Sequence, residues 1–239
     1  ISRVVLPDIG LVNAGFTVAT LLILMNVQFV HEVALKEQEK QLAEGRIDIM
    51  LSQIQPHFLY NSLGVIYSLC ATDPEAARKA IKRFSDFLRG NMDSLKNRDP
   101  IPFEAELNHV MNYLYLEQQR FGDKLQVIYQ IKTEDFLIPP LTLQPLVENA
   151  IYHGMEFMDG DGEILIKAWR EGDDLYMSVG DNGLGMTQEQ VENLFAAAEH
   201  VPSRRGSGIG VRNVNERIKL YFGKEYGLVI DSEPDEGTT

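Results

Sequence analysis

The sequence predicts an α+β protein: helices through the N-terminal half, then an α/β sandwich with helices covering one face of a sheet. Apolar residues recur at spacings of three to five from Asp48 to Cys70, the period of an amphipathic helix. A second such helix follows Thr72-Asp73-Pro74. After Gly122 the texture changes to short strand-like runs, LQVIYQI, EILIKAWR and LYMSVGD, set between helical segments and glycine-rich turns.

Bulk properties set the outer limits. The 239 residues suit one to two domains, and 44% hydrophobic content supports an ordinary core. A net charge of -13 lacks the basic surface of a nucleic-acid binder, so no direct nucleic-acid binding is expected. Cys70, the single cysteine, excludes an internal disulfide and a zinc site built from cysteines, and it suits a reducing cytosol.

Residues 1–31 hold an apolar stretch without charge between Asp8 and His31, as long as a membrane-spanning helix. A transmembrane or membrane-proximal helix is expected there, although Asn13, Asn26 and Gln28 weaken the pattern. Residues 32–50 turn polar, and Leu35, Leu42 and Ile49 lie seven apart, the spacing of one coiled-coil seam position. Residues 51–99 then form a helical hairpin. Pro56 falls inside the helical pattern and is expected to kink it, with His57 beside the apolar stripe. Taken alone, this is equally the pattern of a core helix with a proline and a surface histidine. Asp73 can cap the second helix, and Pro74 suits its first position. Ala77, Ile81, Phe84 and Leu88 share one face, and such a hairpin buries its apolar faces best by dimerising into a four-helix bundle. The Arg98–Pro102 segment is a rigid break, taken as the domain boundary, and residues 100–239 form the second domain.

That domain opens with a helix from about Glu104 to Phe121, where Tyr113 and Leu116 are expected to pack a core or an interdomain face, as are Phe121 and Leu125. His31, His109 and His200 carry no motif and read as ordinary histidines. Residues 136–155 read as a loop and an apolar helix. The strands at 163–170 and 175–181 form an antiparallel pair, GLVIDSE a further strand, and helices are expected around 188–197 and 209–222.

Three clusters point to chemistry. Glu148-Asn149 lies on a helix with His153 one turn later. Asp181 follows a strand and can accept a hydrogen bond, while Gly183 and Gly185 let a ligand approach the backbone. Gly206, Gly208 and Gly210 precede a helix N-terminus, a place where backbone N–H groups hold phosphate. No G-K-[ST] is present, and the glycines follow a flexible stretch rather than a strand, so neither P-loop nor dinucleotide fingerprint fits.

In their order and spacing, LSQIQPHFLYNSL, VENAIYHG, DNGLG and RGSGIGVRNVNERI resemble the phosphoacceptor segment, the N box and the two glycine boxes of LytS-like sensor histidine kinases. The second half thereby resembles the Bergerat-type ATP-binding domain of the GHKL superfamily. The likeness runs from about Leu51 to the C-terminus. It implies His57 as the autophosphorylated nucleophile, Asn149 as Mg²⁺ ligand, and Glu148 and His153 as its polar neighbours. It implies Asp181 as the acceptor of the adenine amino group, the glycines as the walls of an ATP pocket, and residues 186–205 as a mobile lid. Charge and position add Arg204, Arg205 and Arg212 as phosphate contacts. The family pattern also leads one to expect a further strand after Thr239.

The implied function is a membrane-associated, homodimeric sensor histidine kinase that uses ATP and Mg²⁺. It would pass a phosphoryl group to an aspartate of a response regulator, a DNA-binding transcription factor. The location would be the bacterial plasma membrane, with the catalytic part cytoplasmic. Two other readings stay open. One is a GHKL-type ATPase or serine kinase whose helical half only dimerises. The other is a scaffold without turnover.

Overall fold

The computed structural model describes residues 16–22, 24–32, 36, 56–96, 99–155, 160–195 and 209–239. The seam positions Leu35, Leu42 and Ile49 lie outside these residues, as do residues 51–55 before Pro56, where the proline kink was expected. Two compact units are present, Ile1–Gln55 and Pro56–Thr239.

In the first unit, residues 16–22 and 24–32 are helical with exposed side chains. Among the described residues, no helix is long and apolar enough to cross a membrane.

The second unit opens with helices α1 (Pro56–Thr72) and α2 (Pro74–Lys96). Asp73 makes the expected cap: its Oδ1 accepts the backbone N–H groups of Glu75 at 3.1 Å and Ala76 at 3.0 Å. These satisfy two of the donors that a helix N-terminus leaves unpaired. Phe58 of α1 is buried, with ring centroids 4.9 Å from Phe87 and 4.8 Å from Tyr113. Tyr113 lies on α3 (Phe103–Phe121), so this aromatic cluster joins three helices.

Packing continues across the proline-rich break. Residues Ile101–Pro102 form a short strand, β1, paired antiparallel with β3 (Leu137–Ile138). One hydrophobic core runs from Phe58 through Phe87 and Val110 to Ile164 and Ile166. The core therefore continues across the break, which separates two helices.

The main sheet has the order β2-β4-β5-β7-β6. Its strands are β2 (Leu125–Ile131), β4 (Gly162–Glu171), β5 (Asp174–Asp181), β6 (Ser232–Glu233) and β7 (Gly237–Thr238). The expected antiparallel pair is β4 with β5, whereas β2 joins β4 in parallel. A parallel pair needs a long crossover, and the segment holding α4 (Gln144–Asn149) supplies it. On β4 the buried residues Ile164, Ile166 and Ala168 alternate with half-exposed ones, so one face meets the core.

One other expectation needs correction. Only Ser232–Glu233 of GLVIDSE is strand. Before it, Asp231 exchanges backbone hydrogen bonds with Thr239, both at 2.8 Å, while Leu228 N–H donates to a side chain, Asn215 Oδ1, at 3.0 Å. The loop and apolar helix expected within 136–155 are present, the helix running from Gln144 to Asn149 and widening into a π-helical turn over Ala150–Met155. Such widenings recur at functional sites. Helices α5 (Gln188–Phe195) and α6 (Ile209–Phe222) complete the fold.

Candidate nucleotide site

A cleft of about 570 Å³ opens between α4, the end of β5, α5 and the C-terminal segment. Asn149 and Asp181 both line it, although 32 residues of chain separate them. Apolar side chains, including Leu146, Met186, Leu194 and Val211, supply much of the remaining wall. A largely apolar slot with a few converging polar groups suits a flat heteroaromatic ligand with a polar tail.

Asp181 is held in place by its surroundings. Its Oδ1 accepts the Gly183 backbone N–H at 2.9 Å. Burial raises its pKa from 3.8 to about 6, against the opposing pull of backbone hydrogen bonds from Gly183 and Thr238. Gly185 adopts φ +60°, and a Cβ there would lie 1.8 Å from the Glu233 carbonyl oxygen. No side chain fits that approach, which explains the second glycine of DNGLG. Asn182 has a structural task instead: its Oδ1 accepts Glu163 N–H at 2.7 Å, and its Nδ2 donates to the Asp161 carbonyl at 3.1 Å.

The N box is supported from beneath. Glu148 accepts a hydrogen bond from Gln144 Nε2 at 2.7 Å. Gly210 lies against α4, where a Cβ would make van der Waals contact with Pro145 Cβ at 3.4 Å. Neither Glu148 nor Gly210 lines the cleft, whereas Asn149, Asp181 and Gly185 do. Gly183 is buried in the turn behind Asp181. The side chain of His153, together with Arg204, Arg205, Gly206, Gly208 and the lid from 196 onward, lies outside the described residues. Among the described residues, no cluster of histidine, cysteine and carboxylate side chains could hold a metal ion. Magnesium in ATP sites commonly takes one or two protein groups plus substrate phosphates, so a single Asn149 ligand is compatible with this cleft.

His57 sits exposed on the first turn of α1 and is not part of the cleft wall. Asn61, four residues on, places Nδ2 at 3.2 Å from Nε2 and 3.3 Å from Nδ1. It can donate to one ring nitrogen at a time, and that choice sets which nitrogen keeps the proton.

Several residues of this region escaped the sequence reading. Ser232 accepts Met186 N–H at 2.8 Å and so fixes the start of the lid segment. Glu106 is buried on α3 and accepts the backbone N–H groups of Leu141 and Leu143, both at 3.0 Å. His109, read as ordinary, is buried and bridges helices, with its Nε2 2.6 Å from Gln144 Oε1. The available signal was a pair of polar residues, Glu106 and His109, on the same stripe as Val110 and Tyr113.

Comparison with known proteins bears on both parts of this unit. Residues 46–125 match the family model described as histidine kinase. Residues 139–239 match the one described as histidine kinase-, DNA gyrase B-, and HSP90-like ATPase. The chain is 39% identical over 203 residues to the sensor protein LytS of Bacillus anthracis, covering 84% of this chain and 34% of that protein. It is 38% identical to the sensor histidine kinase YpdA of Escherichia coli, covering 81% of this chain and 34% of that protein. It is 36% identical over 209 residues to YwpD of Bacillus subtilis, covering 87% of this chain and 72% of that protein. The chain thus spans about a third of the length of the LytS and YpdA relatives it matches.

Proposed function

This chain belongs to the LytS-like sensor histidine kinases, and from that premise we propose that it binds Mg-ATP in the cleft and transfers the γ-phosphoryl group to His57. The observation that carries the proposal is the convergence of Asn149, Asp181 and the Gly185 turn on one cleft.

Asp181 would accept the adenine amino hydrogen, Gly185 would let the ring lie against the backbone, and Gly183 would shape the pocket from behind by donating its N–H to Asp181. Asn149 would hold Mg²⁺ beside the phosphates, with Glu148 and His153 as polar neighbours. Gly206, Gly208 and Gly210, with Arg204 and Arg205, would close on the phosphates. Bound Mg²⁺ would supply charge neutralisation for the transferring group. His57 attacks through the lone pair of its neutral ring: a N–P bond forms as the β–γ P–O bond breaks, leaving ADP. Asn61, by donating to one ring nitrogen, would hold the proton on the other; release of that bond would free the lone-pair nitrogen for attack. The phosphoryl group would then move to a response-regulator aspartate.

The remaining assignments belong to the same reading. Residues 51–99 would serve dimerisation and phosphotransfer, and 100–239 nucleotide binding. Tyr60, Leu63 and Tyr67 on α1 are more than half exposed and support a homodimer through the hairpin. Exposed Phe16 and Phe29 in the N-terminal helical stretch support attachment to the plasma membrane. The regulator would be a DNA-binding transcription factor.

Incubation with Mg²⁺ and γ-labelled ATP tests the proposal. Acid-labile, alkali-stable label is expected on the wild type and none on His57→Gln or Asn149→Ala. Label of undiminished amount on His57→Gln would overturn it. ATP consumption without stable label on any form would favour an ATPase.

A further inference from the structure

The hydrogen bonds around His109 carry an inference that rests on the kinase reading and deepens it. We propose that His109 and Gln144 are positioning residues, linking helix α2 of the hairpin to Glu148-Asn149 of the N box.

One turn of α2 grips the imidazole. Phe87 stacks on it with centroids 5.1 Å apart and planes 5° from parallel. Asn91 Oδ1 lies 3.2 Å from Nε2. Gly90 makes room for the ring, since a Cβ there would fall 2.3 Å from Nδ1. From the same Nε2 the link continues to Gln144 Oε1 at 2.6 Å, and from Gln144 Nε2 to Glu148 Oε1 at 2.7 Å. Asn149 is the next residue.

The polarity of this link is fixed. A carboxylate can only accept, so Gln144 must turn its amide N–H₂ to Glu148 and its oxygen to His109. Nε2 therefore carries the hydrogen, shared between two carbonyl oxygens. His109, Gln144 and Asn91 are 8%, 4% and 6% exposed, so water does not stand in for these bonds. Among the described residues, Asn91 Nδ2 is buried without a hydrogen-bond partner. Its side chain thus faces His109 at the cost of an unmet donor. Burial lowers the His109 pKa, against the opposing effect of Gln144, which favours the neutral ring with one N–H that this pattern needs.

A shift of α2 would be felt at Nε2 and passed through the Gln144 amide to the carboxylate beside Asn149. Misplacement of a binding group by about 1 Å can cost about a hundredfold in rate, so a small displacement suffices.

Two substitutions separate the donor from the ring. His109→Phe keeps a ring on Phe87 but removes the N–H; His109→Gln keeps a donor but loses the ring. The readouts are autophosphorylation rate, KM for ATP, and amide hydrogen exchange over residues 144–150. His109→Phe should exchange faster there and phosphorylate about tenfold more slowly or worse, with KM changed less than about twofold. His109→Gln should recover at least half of each loss on a logarithmic scale. Unchanged exchange in His109→Phe, or a loss as deep in His109→Gln, would overturn the link. Exchange does not require turnover, so a wild type that fails to phosphorylate would sink the kinase reading while leaving this test intact.

Discussion

Replacing Asp181 by asparagine is expected to weaken adenine-nucleotide binding by about a hundredfold while making the nucleotide-free protein more stable. Both effects have one cause. Burial raises the Asp181 pKa from 3.8 to about 6, so at neutral pH the folded protein holds an ionised carboxylate in a site that disfavours it. Because the folded pKa lies above the unfolded one, the stability linked to this group is fully present below about pH 4 and lost as pH rises through about 6. At pH 7 the site is therefore destabilised. The shift corresponds to about 3 kcal/mol at most, and about 1–2 kcal/mol after allowance for its half-exposed position. Asparagine removes that cost, but its amide cannot accept charge-assisted hydrogen bonds, which are about twice as strong as neutral ones. Calorimetric titration with ADP and thermal unfolding of the apo protein would read the two effects separately. Wild-type affinity should also decline as pH falls below about 6. An Asp181→Asn protein that bound ADP normally would remove adenine recognition from this residue.

The second large effect is expected at Glu106. Its carboxylate lies in the core and takes N–H groups of Leu141, Leu143 and, at 3.5 Å, Gln144. These donors precede and open α4, where no other side chain caps the helix. On the opposite side, Arg217 of α6 donates to the carbonyls of Pro140 at 2.5 Å and Leu141 at 3.1 Å. Between them Leu141 is kept at φ +59°, a left-handed conformation that β- and γ-branched side chains rarely take. Such backbone persists only where its surroundings over-determine it, at a cost of order 1–3 kcal/mol. Glu106→Gln would keep the volume but set an N–H₂ group against backbone N–H donors. A loss of about 2–4 kcal/mol is expected by urea denaturation, the order of a buried network broken on one side. A change below about 0.5 kcal/mol would mean that Arg217 alone holds the loop.

How much of this could be read from the chain depends on the range over which each feature is fixed. Local features were legible. The Asp73 cap and the helix ending at Phe121 each follow from neighbours within a few residues. Asn149 and Asp181 were found through their motifs, and their shared cleft depends on a parallel crossover that periodicity does not report. The strand expected over GLVIDSE is shorter than its apolar content suggests, because the Leu228 N–H at its start is taken by Asn215, 13 residues upstream. Glu106, His109 and Gln144 form bonds across 18 to 38 residues. Their only local trace was charge or polarity on an apolar stripe, and a single sequence gives no reason to prefer a buried network over a solvated edge.

The most direct test of the central claim is to locate the transferred phosphoryl group. Wild-type protein incubated with Mg-ATP would be digested at alkaline pH and sequenced by tandem mass spectrometry under conditions that preserve phosphoramidates. The account predicts phosphate on the imidazole of His57. Phosphate on a serine, threonine or tyrosine, or ATP turnover with His57 unmodified throughout, would contradict it.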